Sequence, residues 1–271
     1  VRLDGRVALI VGAGQTAGDT IGNGRATAVT FAREGAVLVL ADRDADSLTA
    51  TADMCRDAGA DVTTVVADIA GADGPEAVVA AALEAHGRLD VLHNNVGIGA
   101  GDGPPHHLAD DAYDRIMDVN LRALWRTCRA AVPALRASAA AGSSSTTSAI
   151  VNVSSLASIA AAGNLTAYKL SKAGVNALTQ NLALTNAKHG VRANAILPGF
   201  IDTPMAVDAQ ARALQVDRAD VASARAGIVP MGHQGTAWDV ANAALFLASD
   251  EAAFITGVLL PVDGGQAARV G

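Results

Sequence analysis

The stretch that most constrains this chain is VGAGQTAGDTIGNGRATA, residues 11–28. It follows the apolar run VALIV and leads into GRATAVTFAREGA, whose small and apolar positions keep helical spacing. A strand that breaks into glycines and then a helix brings backbone N–H groups to a phosphate in α/β proteins. Two registers compete for the glycines. One uses Gly12, Gly14 and Gly18; the other keeps Gly12 at the strand end and opens the helix with Gly22 and Gly24. The helix decides. From Arg25 the residues Ala26, Ala28, Val29, Ala32 and Arg33 hold their spacing, whereas DTI before Gly22 carries two β-branched residues and makes a poor first turn. The second register is expected.

Downstream, short Val/Ile/Leu-rich runs alternate with longer Ala-rich periodic segments. The strand candidates are 6–12, 36–42, 61–68, 89–95, 149–154, 191–197 and 257–263. Continuous apolar strands separated by helices indicate a parallel sheet covered on both faces. The expectation is an α/β, doubly wound, Rossmann-type sheet of seven parallel strands, with residues 1–271 forming a single domain. The polar segment 137–149 reads as a surface loop, and the irregular 204–236 as a substrate lid beside the carboxyl ends of the strands.

Composition narrows the function classes. Apolar residues are 51%, charged residues 17%, and the net charge of −7 comes with no Lys/Arg run, which argues against a nucleic-acid surface. Cys55 and Cys128 cannot form a Cys-rich zinc site, and the adjacent His106 and His107 would point opposite ways along an extended segment, so no metal site is expected. His93, in the fourth strand, reads as a hydrogen-bonded core histidine. No apolar run is long enough to span a membrane and no signal-type leader is visible, so the expected location is cytoplasmic.

Two features carry chemistry. Asp42 ends the second strand 18 residues after Gly24, close to the ~20 between a glycine fingerprint and a ribose-binding carboxylate. A carboxylate there accepts from both ribose hydroxyls and repels a 2′-phosphate. The other feature is IVNVSSLASIAAAGNLTAYKLSKAGV, residues 150–175. Tyr168 and Lys172 are four apart and share one helix face, with Ser155 thirteen residues before the tyrosine. Free tyrosine, with a pKa of about 10, is a poor base at neutral pH. A neighbouring ammonium lowers such a pKa by roughly 1–3 units, a role that suits Lys172.

With these residues the chain resembles the short-chain dehydrogenase/reductase family from about residue 5 to 265. Gly12, Gly22 and Gly24 look like its Gly-x-x-x-Gly-x-Gly glycines, with nine residues between the first two instead of three. The resemblance implies a six-residue insertion within AGQTAGDTI, residues 13–21. Two dispositions are open for it. One is a flap over the adenosine–pyrophosphate half of the cofactor, with Gln15, Thr16 and Thr20 donating to it and Asp19 in solvent. The other is a solvated bulge that touches nothing.

The resemblance further implies Tyr168 as the proton-exchanging group, Lys172 as the residue that tunes it and holds the nicotinamide ribose, and Ser155 on the substrate oxygen. Asn120, in RIMDVNLRAL, would serve a proton relay behind the lysine. Asp68 and Ile69 look like adenine-edge contacts. In NNVG, Asn95 and Gly97 would adjoin the cofactor and Asn94 would be structural. In LPGFIDTPM, Pro198, Gly199, Ile201 and Thr203 would grip nicotinamide. Ile21 occupies a position where NADP-preferring relatives often carry a base, so NAD is the expected cofactor. The expected activity is interconversion of a secondary alcohol and its ketone. An NADPH-dependent 3-oxoacyl-thioester reductase and a non-catalytic nucleotide-binding relative are the alternatives. Family members are usually homotetramers that pair helices near 110–136 and 166–188.

Overall fold

The computed structural model describes residues 1–142, 147–160 and 163–269. Among them the strands are β1 (Val7–Val11), β2 (Val37–Asp42), β3 (Val62–Val66), β4 (Val91–Asn94), β5 (Ser148–Val153), β6 (Val191–Pro198), β7 (Ile201–Asp202), β8 (Gly235–Thr236) and β9 (Leu259–Val262). The helices are α1 (Asn23–Arg33), α2 (Ala45–Asp57), α3 (Gly74–His86), α4 (Asp110–Met117), α5 (Ala123–Ala141), α6 (Thr166–Asn186), α7 (Ala209–Leu214), α8 (Arg218–Ala226) and α9 (Ala237–Ala248).

Seven strands form one parallel sheet in the order β3-β2-β1-β4-β5-β6-β9. The doubly wound expectation holds, because the strand order reverses between β1 and β4. Along β1 the side chains alternate: Ala8 and Ile10 enter the core shared with α1, α2 and α9, while Val7, Leu9 and Val11 enter the one shared with α3, α5 and α6. Burying one Leu or Ile of this kind contributes about 1.5–3 kcal/mol, so both faces of the sheet are apolar. The β1/β4 reversal leaves a crevice at the carboxyl ends of the strands, where ligands of such sheets bind.

The structure departs from expectation in several places. Residues 137–141 continue α5 as helix, and 143–146 of the expected surface loop lie outside the described residues. The pair β7·β8, parallel with Ile201 opposite Gly235, brackets the 204–236 stretch at both ends. Between them lie a π turn (Pro204–Asp208), α7 and α8. His106 and His107 sit in a turn with ring centroids 4.3 Å apart, because the chain there is not extended. His93 is fully buried, but neither ring nitrogen has a hydrogen-bond partner among the described residues. Burial alone pushes its pKa down to about 4, so it sits in the core as a neutral ring.

Candidate active site

The glycine register with Gly22 and Gly24 is the one the fold adopts. Gly12 ends β1 at φ +84°, a left-handed conformation that only glycine enters without strain. Gly22 stands at the N-cap of α1, and no side chain caps that helix. Gly24 meets the Gly12 carbonyl with no room for a Cβ. Beside this helix end the Thr20 hydroxyl and the Asn23 amide oxygen are buried without hydrogen-bond partners among the described residues. An uncapped helix N-terminus flanked by orphaned polar atoms fits the pyrophosphate of a dinucleotide.

Asp42 closes β2, and both its oxygens are engaged by backbone: Oδ2 accepts from Gly14 N–H at 2.8 Å and Oδ1 from Asp44 N–H at 3.0 Å. Each oxygen retains a lone pair for a hydroxyl donor. Capping of α2 falls to Asp44, whose side chain accepts from Ser47 N–H. Asp68 is exposed and Ile69 buried just after β3. Asn95 donates to the Gly12 carbonyl at 3.0 Å, tying the end of β4 to the glycine turn. Asn94 bonds Asn152 and the Cys128 thiol inside the core, a structural role as expected. Beyond β6, the Gly199 Cα packs on Asp263 and Gln266, with Ile201 and Thr203 buried beside it.

The 13–21 loop is not a free bulge. Gln15 turns into the loop: its Oε1 accepts from Gly22 N–H at 2.9 Å and its Nε2 donates to the Thr20 carbonyl at 3.4 Å, bracing the neck. Its backbone N–H and carbonyl both bond the Ser47 hydroxyl. At the tip, Asp19 N–H donates to Asp208 of the 204–236 stretch at 3.1 Å. The Asp19 side chain is exposed, as expected, yet its carboxylate lies 3.9 Å from the Arg218 guanidinium.

Tyr168, Lys172, Ser155 and Asn120 converge at the carboxyl end of β4 and β5. Tyr168 and Lys172 lie one turn apart on α6, with the Lys172 Nζ 5.8 Å from the phenol ring centroid. The ammonium is buried and donates to the Val153 carbonyl at 2.9 Å. A Cβ on Gly97 would fall 3.1 Å from that Nζ and 3.7 Å from Asn120 Oδ1, so glycine leaves the lysine its space. Ser155 opens a short 3-10 turn after β5, where its hydroxyl accepts from Ala157 N–H at 3.1 Å and stands near the phenol. Asn120 sits in a π turn (Asp118–Arg122) between α4 and α5, bonding Ile98 N–H at 2.8 Å, Ile98 C=O at 2.9 Å and the Ser171 hydroxyl at 3.1 Å. Such π turns are frequent at functional sites.

The electrostatics differ from the expectation. Burial pushes the Tyr168 phenol above its ordinary pKa, and the Ser155 hydroxyl only partly opposes this. Lys172 does not produce the expected depression. Its own pKa is driven down to about 8 by burial, which weakens it as a cationic partner.

Sequence reasoning missed Asp102. Its carboxylate accepts from Tyr168 N–H at 2.8 Å and Ala167 N–H at 3.1 Å, capping α6 from the loop after β4. The one available signal was negative: Leu165, at the N-cap of α6, has no side chain able to accept.

Comparison with known proteins agrees with this geometry. Residues 17–267 match the family model described as Enoyl-(Acyl carrier protein) reductase. The 2-(R)-hydroxypropyl-CoM dehydrogenase of Xanthobacter autotrophicus is 36% identical over 97% of this chain and 99% of its own. The levodione reductase of Leifsonia aquatica is 34% identical over 98% and 96%. The crystal structure of carveol dehydrogenase from Mycobacterium avium in complex with NAD superposes with a TM-score of 0.89 at 30% identity, covering 99% of both chains. The likeness thus extends across nearly the whole length of these relatives, and the chain is an oxidoreductase belonging to the short-chain dehydrogenase/reductase family.

Proposed function

We propose that the protein interconverts a secondary alcohol and its ketone, using NAD rather than NADP. The observation that carries this reading is Tyr168, half-buried beside Ser155 and one helical turn from a buried Lys172. A phenol beside a hydroxyl can exchange the proton of a carbinol. In the reductive direction the Tyr168 phenol gives its proton to the carbonyl oxygen as the carbonyl carbon gains hydride; in the oxidative direction Tyr168, as phenolate, takes the carbinol O–H proton as the carbon gives up hydride. The nicotinamide ring, when bound, supplies the hydride acceptor or donor. Ser155 holds the substrate oxygen and steadies the charge that develops there. Lys172 retains ammonium protons beyond its Val153 bond, enough to hold ribose hydroxyls. Asn120, fixed by Ile98 and Ser171, keeps the π turn and the floor of a proton relay in place.

NAD is favoured by Asp42. A 2′-phosphate about 4 Å from its carboxylate would cost on the order of 4 kcal/mol at an effective dielectric of 20. Gly12, Gly22 and Gly24 would face the pyrophosphate; Asp68, Ile69 and Asn95 would line the adenosine side. Gly97, Pro198, Gly199, Ile201 and Thr203 would line the nicotinamide side. The 13–21 loop acts as an inserted flap and 204–236 as the substrate lid within one domain. Exposed Trp125, Leu170 and Leu184 on α5 and α6 support pairing of these helices in a homotetramer. Oxidation of a panel of secondary alcohols, diols, sugars and hydroxysteroids, with NAD and NADP in parallel, tests the reading. Activity confined to NADP, or absent from every carbinol, would overturn it.

A further inference from the structure

The 13–21 loop is anchored at both ends of the cleft. Its base holds to the β2–α2 side through Gly14 N–H on Asp42 and Gln15 on Ser47. Its tip holds to the lid segment through three separate elements. Asp208, at the end of the π turn and buried, accepts the Asp19 N–H at 3.1 Å. Arg212 of α7 donates to the Ala17 carbonyl at 3.4 Å. Arg218 of α8 reaches Asp208 at 3.3 Å, pairs with Asp202 of β7, and lies 3.9 Å from Asp19. Gly18 allows this approach: a Cβ there would fall 2.7 Å from both the Asp208 carboxyl carbon and the Pro204 Cβ. The buried Thr20 hydroxyl, without a partner among the described residues, follows the tip in the chain.

From this we infer that Asp208 and Arg218 are positioning residues that latch the glycine loop to the substrate lid, so that cofactor leaves only when the lid opens. The inference rests on the cofactor reading above. The physical reasoning is direct. A strap fixed at the ribose end by Asp42 and at the lid end by Asp208 crosses the helix N-terminus where the pyrophosphate would lie. A dinucleotide beneath it cannot depart until one anchor breaks. The Asp42 anchor is backbone-bonded and adjoins the sheet. The Asp208 anchor sits on short helices bracketed by a two-residue strand pair, and is the weaker of the two. Lid opening and strap release are then one event, of the kind that commonly limits turnover in closing enzymes.

Two variants break the latch differently. Arg218→Met removes the cation that holds Asp208 and neighbours Asp19. Gly18→Ala leaves all charges in place and wedges the loop tip off the lid. NADH release from each, followed by stopped-flow displacement fluorescence, is expected to be about tenfold faster than wild type, the size of one lost charge-assisted hydrogen bond. Single-turnover hydride transfer should be unchanged. Amide exchange at Asp19 should lose protection in both variants while β1 and β2 keep theirs. Unchanged NADH release in both, with thermal melts showing folded protein, would overturn the latch and leave the activity assignment intact. A wild-type chain that binds neither NADH nor NADPH would overturn the latch together with the cofactor reading beneath it.

Discussion

Gly24 lies so close to Gly12 that a methyl group on its Cα would fall 1.9 Å from the Gly12 carbonyl oxygen. That same carbonyl accepts the Asn95 side chain, so it cannot swing aside without loosening β4. Gly24→Ala must therefore push α1 off β1, at a cost of about 1–3 kcal/mol or more for an overpacked core. Gly22→Ala is the contrast, since its Cβ would meet the Gln15 Cβ at 3.0 Å, a contact that a shift of a few tenths of an ångström in the loop relieves. Urea unfolding should place Gly24→Ala well below wild type and Gly22→Ala near it. Equal midpoints for the two would contradict the packing described.

The strands, the glycine register and the Tyr/Lys/Ser constellation were legible because each has a local sequence period or a fixed spacing. What escaped was carried by distant partners or by too few residues. Ile201–Asp202 and Gly235–Thr236 pair over two residues each, which leaves no alternation to read. The π turn around Asn120 adds a residue to a helix without any change in composition. Gln15 looked like a ligand donor, but the neck of the loop needed an acceptor for Gly22 N–H, and the nearest side chain supplied it. The Tyr168 pKa depended on depth of burial, which no spacing of charges in a sequence reveals.

Tyr168→Phe removes the phenol hydroxyl and leaves the ring in place. Turnover should fall by at least about 10²-fold, the low end for a positioned acid–base group. NADH affinity, read by fluorescence titration, should stay within about twofold, since the ring packing is unchanged. Near-normal turnover in this variant would remove Tyr168 from the chemistry.

Lys172 sets a pH signature on stability. Its folded pKa is about 8 against an ordinary 10.5, because burial disfavours the ammonium. Between those values the unfolded chain binds the extra proton, so native stability rises with pH across that window. Below it the full cost of burying the cation is present. Lys172→Met carries no such term. The urea midpoint of wild type should therefore climb relative to Lys172→Met between about pH 8 and pH 10.5, over a constant offset from the lost Val153 bond. A difference independent of pH would mean that the lysine is not desolvated.

Asp42→Asn keeps an acceptor for Gly14 N–H and removes the charge. The ratio of kcat/KM with NADP to that with NAD should rise by about tenfold or more, because a repulsive element against the 2′-phosphate is gone. The loop should stay folded, since its backbone bond to residue 42 survives. An unchanged ratio would place cofactor choice elsewhere, with Arg43 the next residue to vary.

Asp102 should matter to turnover although it touches neither the phenol nor the buried ammonium. Its carboxylate accepts the N–H groups of Ala167 and Tyr168, and its own neighbour Gly103 accepts the Thr166 hydroxyl at 2.7 Å. The loop after β4 and the first turn of α6 are thus one unit, and Tyr168 is the third residue of that helix. Without the cap, two first-turn N–H groups lose their acceptor and the turn that carries the phenol frays. Asp102→Ala should cost about 1 kcal/mol of stability, as for a lost N-cap. The larger effect should be on kcat, because a displacement of about 1 Å at a reacting group costs on the order of 10²-fold. KM should change little by comparison. Asp102→Asn, whose single amide oxygen can accept from only one of these two N–H groups, should recover part of the turnover. If Asp102→Ala lowers the melting temperature and kcat holds, the carboxylate serves the helix alone and not the aim of Tyr168.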